Sequence, residues 1–421
     1  MDPADRYTRQ ALAGLELGPG RAAALAWAET PDARRLRRAA GRARQKVLDH
    51  LGAYLQQLEQ SASQNDVQVL WADGAQDANR LVVQILHDTR SKAVLRNHSL
   101  LLNEIALDAA VEHNGVRITA LHPGAHLLQL ARERPSHPVW PAAHMRVSQV
   151  SRTLEQAWHI PPSVNPAHLS ATLRAPLRRS LLSTYTVILG LNFAVAESGQ
   201  MVCLDNDGHN PSLTALARHL ICLLSIEQVV ADRADLGLLI RAFALGAYGR
   251  SMPGYVTCID RPTPAGVDGP RTVHLILVDN GRSDLMAAGF GEALRCIHCG
   301  ACHNVCPLFR QVGPEGYAPS VYTGPIGSVI NPLLLRPGLG EQQSYLSTDC
   351  RACRPVCPVD IDLPALLQRL RGQVTPRAAS HRERFVFWVW QRLLRYPRLF
   401  FPAMRLAHRL RERTPVSSTD S

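Results

Sequence analysis

An α/β domain built on a parallel sheet, followed by a cysteine-rich helical module, is the fold class this sequence predicts. Two patterns carry that expectation. From Val67 onward short apolar runs alternate with stretches of helical period, the signature of βαβ units and a parallel sheet. After about residue 286, Pro, Gly and Cys replace the alternation. A third feature, a basic aromatic stretch at the C-terminal end, marks a tail of different character.

Taken in order, residues 1–65 read as N-terminal helices, with amphipathic spacing in DARRLRRAAGRARQKVLDHLGAYLQQLEQ. Residues 66–285 hold the α/β domain. There VQVLWA, KAVLRN and VRITAL read as strands, and DANRLVVQILHDT, LLLNEIALDAAVEHN and AHLLQLARER as the helices between and after them. A helical stretch follows over roughly 143–184. VILGLNFAVAESGQMVCLD reads as two strands turning at Ser198-Gly199, and YVTCID and VHLILVD add two more. The cysteine module occupies 286–375 and the tail 376–421.

Composition excludes several classes. A chain of 421 residues with 46% hydrophobic and 19% charged residues has the make-up of a soluble globular protein. The start, MDPADRYTRQ, lacks the apolar core of a secretory signal, and no apolar run approaches the length of a membrane-spanning helix. Ten cysteines without an export signal point to a reducing, cytoplasmic setting, where dense clusters bind metal rather than pair as disulfides. Much of the net charge of +11 lies between His381 and Arg413, with nine Arg against two Glu. A basic stripe at one terminus is not a nucleic-acid fold, so no nucleic-acid partner is expected.

LRCIHCGACHNVCP carries the chemistry. Cys296, Cys299, Cys302 and Cys306, with Pro307 behind them, follow C-x2-C-x2-C-x3-C-P, in which three thiolates wrap one iron–sulfur cluster and the fourth serves a second. Zinc favours two separated C-x2-C pairs, and the third Cys plus Cys-Pro does not fit that habit. CRACRPVCP repeats the run without its first member, supplying Cys350, Cys353 and Cys357. Crossing the ligands assigns Cys296, Cys299, Cys302 and Cys357 to cluster one and Cys306, Cys350 and Cys353 to cluster two. Cluster two lacks a fourth thiolate. Ser347 stands in register for it, and water, a partner's group or a three-iron 3Fe–4S cluster are the other options. Cys203, Cys222 and Cys258 lie in apolar strand contexts and read as small buried hydrophobes.

These cysteine runs, together with VYTGPIGSVINPLL, LVDNGRS and NFAVAESG, resemble the lactate utilization protein B family, over about residues 30–400. The resemblance implies a lactate-utilization domain similar in fold to sugar-phosphate isomerases and CoA transferases. It further implies an α-helical ferredoxin module with seven cysteine ligands and two 4Fe–4S clusters. The expected role is the iron–sulfur electron-transfer subunit of a complex oxidising L-lactate, or a related 2-hydroxy acid, to pyruvate. Its expected partners are a cysteine-rich subunit and a second subunit bearing a lactate-utilization domain. Glu104, His137, His144 and Glu197 match the family. Three segments of the implied small-molecule cleft depart from it. Arg96, Asn97, His98 and Ser99 replace K-S-K-S, and His122, Pro123, Gly124 and Ala125 replace D-L-G-E. NDGHNP has Asp207 where the family has Glu, and no Arg.

Glu197 is the one candidate catalytic carboxylate, at a strand end before a Ser-Gly turn; a solvated turn acid is the competing reading. His137 and His144 read as hydrogen-bonded structural histidines. An alternative function keeps the electron wire in a heterodisulfide-reductase-like complex acting on a different substrate, and a weaker one makes the α/β part a regulatory module. The tail interleaves aromatic rings with Arg. It reads either as packing against the module or a partner, or as a peripheral contact with the inner membrane face.

Overall fold

The computed structural model describes residues 5–335, 340–378 and 381–395. The chain forms two compact units, residues 1–368 and 369–421. Among the described residues, ten strands build two sheets in the first unit. They are β1 (Gln68–Ala72), β2 (Ala93–Arg96), β3 (Arg117–Ala120), β4 (Thr186–Gly190), β5 (Phe193–Val195), β6 (Met201–Asp205), β7 (His219–Ser225), β8 (Val229–Val230), β9 (Tyr255–Ile259) and β10 (Thr272–Val278). The larger sheet has the order β1-β10-β7-β4-β2-β3, and all its pairings are parallel. Both faces are buried, so its central strands are almost wholly apolar. Val187 and Leu189 of β4, with Leu220 and Leu224 of β7, face a core closed by the helix Leu51–Gln64. Ile188 and Ile221 face the opposite core with Val82 and Leu86 of the helix Ala75–Asp88.

The smaller sheet, ordered β8-β5-β6-β9, extends from the C-terminal end of β4. VILGLNFAV is therefore not one strand. The chain leaves the parallel sheet at Gly190 and enters the second sheet at Phe193, a break that continuous apolarity hides. The expected turn at Ser198-Gly199 does form, joining β5 and β6 as an antiparallel pair. Two helical expectations also divide. The stretch after β2 forms Leu100–Glu104 and Leu107–His113, separated at Ala106 in the left-handed region (φ 52°). The stretch before β4 forms Val147–Trp158 and Pro166–Ser183.

Short helical turns make up the cysteine module, and N-terminal helices brace it. Leu12 and Leu15 of the helix Arg6–Leu15 pack with Cys306, Phe309 and Tyr317. In the helix Ala33–Asp49, Gly41 approaches the Val359 carbonyl so closely that a side chain there would strike it. In the second unit, the helix His381–Arg395 exposes Phe385, Phe387, Trp388 and Trp390. The rest of the tail, with the breaks expected at Pro397 and Pro402, lies outside the described residues. Among the described residues no helix is long and apolar enough to cross a membrane.

Candidate metal centre and adjoining cleft

Cys296, Cys299, Cys302 and Cys357 line one cavity. Its remaining wall is apolar, with Ile297, Ile326, Val359, Ile361 and Leu363. Among the described residues no three His, Cys, Asp or Glu side chains converge on a position for a single ion; the thiols surround a space instead. Burial pushes Cys296 up to about 12 and pushes Cys299 and Cys302 up as well, with the neighbouring thiols adding to the effect; burial pushes Cys357 up too, with Asp360 adding to it. Thiols buried this close together give up their protons only to a cationic core, the chemistry an iron–sulfur cluster supplies. The residues fit that group.

Local backbone explains how the loop reaches this shape. Gly300 has φ 76°, and a Cβ there would fall on the His137 ring. His137 is buried; its Nε2 faces the Gly300 carbonyl at 3.3 Å, and its Nδ1 accepts from the Val139 and Trp140 amides at 3.1 Å. Two amide donors on Nδ1 place the proton on Nε2, so the ring is neutral and donates to Gly300. Burial lowers its pKa to about 4. His303 repeats the device, with Nε2 3.0 Å from Thr323 Oγ1 and Nδ1 3.5 Å from Cys302 Sγ. Arg44, fully buried, donates to the carbonyls of Val229, Leu294 and Arg295 at 3.2, 2.8 and 3.3 Å. Burial lowers its pKa to about 10, while the charges of Glu227 and Cys296 oppose that shift.

Cys306, Cys350 and Cys353 form a second group, whose charges act on one another. Cys306 Sγ accepts from the Phe309 amide at 3.4 Å and caps the helix Pro307–Val312. Cys353 is partly buried and pushed up to about 12, by burial first and Cys306 second. Cys350 is exposed. Ser347 Oγ sits nearby in the chain, partly exposed, accepting from the Asp349 amide at 3.1 Å. The remaining cysteines divide. Cys203 and Cys222 are buried as expected, but Cys258 is exposed on the edge strand β9, where the alternation of a one-sided sheet turns it outward.

A cleft opens at the carboxyl ends of the parallel strands, where ligands of such sheets bind. The three segments that depart from the family all reach it. Asn97 follows β2, His122 starts the helix Pro123–Ala131, and Asp207 follows β6. Asn97 ties two strand ends together, accepting from the Gly190 amide at 2.9 Å and donating to its carbonyl at 3.1 Å. His122 Nε2 lies 3.4 Å and His209 Nδ1 3.9 Å from the Asp207 carboxylate. The His122 hydrogen bond holds Asp207 below the usual carboxylate range, against burial. Pro138, Ile297 and His298 line both this cleft and the four-cysteine cavity.

Glu104 lies just behind this boundary. It accepts from both terminal nitrogens of Arg282, from the Tyr322 hydroxyl and from Asn280 Nδ2 at 2.6 Å. Arg282 also lies 3.5 Å from Glu227. Glu104 is thus a structural tie between the α/β domain and the cysteine module. His144 Nε2 bonds Glu133 at 2.9 Å, away from both the cleft and the cavity. Glu197 is exposed in the β5–β6 turn and does not line the cleft. Arg44 and Arg282 escaped the reading of the sequence. Arg44 carried a legible signal, since it falls on the stripe of Ala40, Ala43 and Val47.

Residues 55–278 match the LUD domain and residues 292–361 the 4Fe-4S dicluster domain. Fold and site together define an iron–sulfur electron-transport protein whose dicluster module is joined to a parallel α/β domain. The chain is 37% identical over 333 residues to an uncharacterized electron transport protein, YkgF, of Escherichia coli, covering 79% of this chain and 70% of that one. Against lactate utilization protein B of Anoxybacillus flavithermus it is 35% identical over 336 residues, covering 79% and 71%. Against lactate utilization protein B of Shouchella clausii it is 35% identical over 341 residues, covering 80% and 72%. The chain belongs to the lactate utilization protein B family, as its motifs lead one to expect.

Proposed function

We propose that this protein is the iron–sulfur electron-transfer subunit of a complex that oxidises L-lactate, or a related 2-hydroxy acid, to pyruvate. The observation that carries this reading is the shared wall, which sets a polar cleft against a four-thiol cavity. Cys296, Cys299, Cys302 and Cys357 hold cluster one; Cys306, Cys350 and Cys353 hold cluster two, with its last iron bound through oxygen or absent. When bound, the clusters supply one-electron transfer. The chain's own residues do the rest. His137 and Arg44 fix the loop, the apolar wall excludes water, and Glu104 with Arg282 keeps the cleft in register with the module.

The names of the relatives support lactate as the substrate class. A cysteine-rich subunit and a second subunit with a LUD domain complete the complex, which works in the cytoplasm. The exposed aromatic helix His381–Arg395 is the face for a partner or for the inner membrane surface. Anaerobic purification with iron and sulfide quantitation and EPR tests the reading: two cluster signals are expected, and a protein that binds zinc instead would contradict it. Affinity capture separates this complex from a heterodisulfide-reductase-like one, because only the lactate system brings a second LUD-domain subunit.

A further inference from the structure

Among the described residues, no Lys or Arg lines the cleft, although its lining carries two carboxylates and several imidazoles. Asp205 is already engaged, accepting from the amides of Asp207, Gly208 and Asn210 at 3.1, 2.7 and 2.9 Å. Asp207 has only imidazoles against it. Three rings cluster there, with centroids 5.8 Å apart for His98 and His122 and 5.6 Å for His122 and His209. His98 Nε2 donates to the Pro138 carbonyl at 2.9 Å, while His98 Nδ1 and His209 Nδ1 are buried without a hydrogen-bond partner. A buried polar atom left unmatched in a cleft is a place for a ligand's oxygen.

We infer that this cleft binds a small 2-hydroxy monocarboxylic acid together with one proton, which the His98–His122–His209 cluster takes up because no fixed cation is there to meet the carboxylate. The inference rests on the proposed function for the class of ligand. Moving a carboxylate into a partly dry site beside Asp207 is strongly disfavoured unless a positive charge joins it. Neither His98 nor His209 holds one in reserve: burial lowers His98 to about 3, with His122 and Arg96 adding to it, and burial lowers His209 as well. The groups facing the cluster are Asp205 at the end of β6, Asp207 just after it, Tyr248 at the end of the helix Arg233–Tyr248, His137 beside Pro138, and Tyr322 and His298 from the cysteine module. Arg96 stands behind His98, held by Asp108. None of these supplies a mobile positive charge. A bound carboxylate raises the imidazole pKa, so affinity is full below the free value and is lost as pH rises through the bound one.

Isothermal titration of the anaerobically prepared holoprotein with L-lactate tests this, run in two buffers of different ionisation enthalpy. The neutral isostere lactamide serves as control. Lactate should bind with uptake of about one proton at pH 8, and its Kd should weaken by up to about tenfold per pH unit above neutrality. Lactamide should be indifferent to pH. His209→Lys supplies a fixed charge, so it should remove most of the proton uptake and tighten lactate binding at pH 8.5 by about tenfold. Lactate binding without proton uptake, or no lactate binding by a preparation with full iron content, would overturn the inference. Proton-linked binding to a preparation that holds no iron would leave it standing and sink the electron-transfer reading instead.

Discussion

Cys296, Cys299, Cys302 and Cys357 surround an apolar cavity, with Arg44 bonded to the backbone leading into it and His137 holding its loop. Cys306, Cys350 and Cys353, only a few residues away in the same module, reach the surface at Cys350 and have three thiols in place of four. The contrast separates two tasks. A site walled by apolar side chains beside the cleft suits a steady potential; three thiols that reach the surface suit exchange with whatever docks beside them. Closure therefore belongs to the α/β side of the module, and each substitution below asks whether that difference is real.

The largest effect is expected at Arg44. Arg44→Ala strands three buried carbonyls and should cost about 3–5 kcal/mol, read by urea denaturation under anaerobic conditions. It also removes a cation whose charge acts on Cys296, so the cluster-one potential should fall while that of cluster two stays put. A loss under about 1 kcal/mol would mean that the closed site is not held from this side. His137→Ala comes next, at about 2 kcal/mol, because it frees the Gly300 carbonyl and two amides in a buried setting. Only the cluster-one EPR signal should broaden.

Acid sharpens the same comparison. His137 is neutral when folded, lowered to about 4 by burial, against about 6.5 unfolded. Between those values the unfolded chain binds more protons, so this contribution is full above about pH 6.5 and is lost as pH falls toward about 4. Denaturation midpoints measured from pH 7.5 to 4.5 should decline more steeply for the wild type than for His137→Gln. Equal slopes would place the charged form in the folded protein. The smallest structural effect is expected at the open site. Ser347→Cys should change stability by no more than about 0.5 kcal/mol, yet suppress the 3Fe–4S signal expected from the wild type in air. If both proteins behave alike in air, Ser347 is not beside the open iron.

Much of this was legible along the chain. The cysteine spacing is local chemistry, and strands such as Gln68–Ala72 and Thr272–Val278 are bounded by polar turns that announce their ends. What the chain concealed depends on tertiary partners. Nothing in VILGLNFAV marks the transfer from one sheet to another, since both halves are buried. Arg44 lies on the apolar stripe of its helix, but which backbone carbonyls it meets depends on the segment Leu294–Arg295 and on β8, far along the chain. The cleft was legible in outline, because the departures at His98, His122 and Asp207 converge there. Its lack of a fixed cation needed coordinates, since Arg96, next in sequence, turns to Asp108.

The most direct test of the account is EPR of reduced, anaerobically prepared Cys357→Ala and Cys306→Ala beside the wild type. Cys357 lies far along the chain from the first cysteine run, and Cys306 lies within it. Cys357→Ala should remove the cluster-one signal, as Cys296→Ala does, and Cys306→Ala should leave that signal and remove the other. Loss of one and the same signal in Cys296→Ala and Cys306→Ala, with the second signal intact, would contradict it.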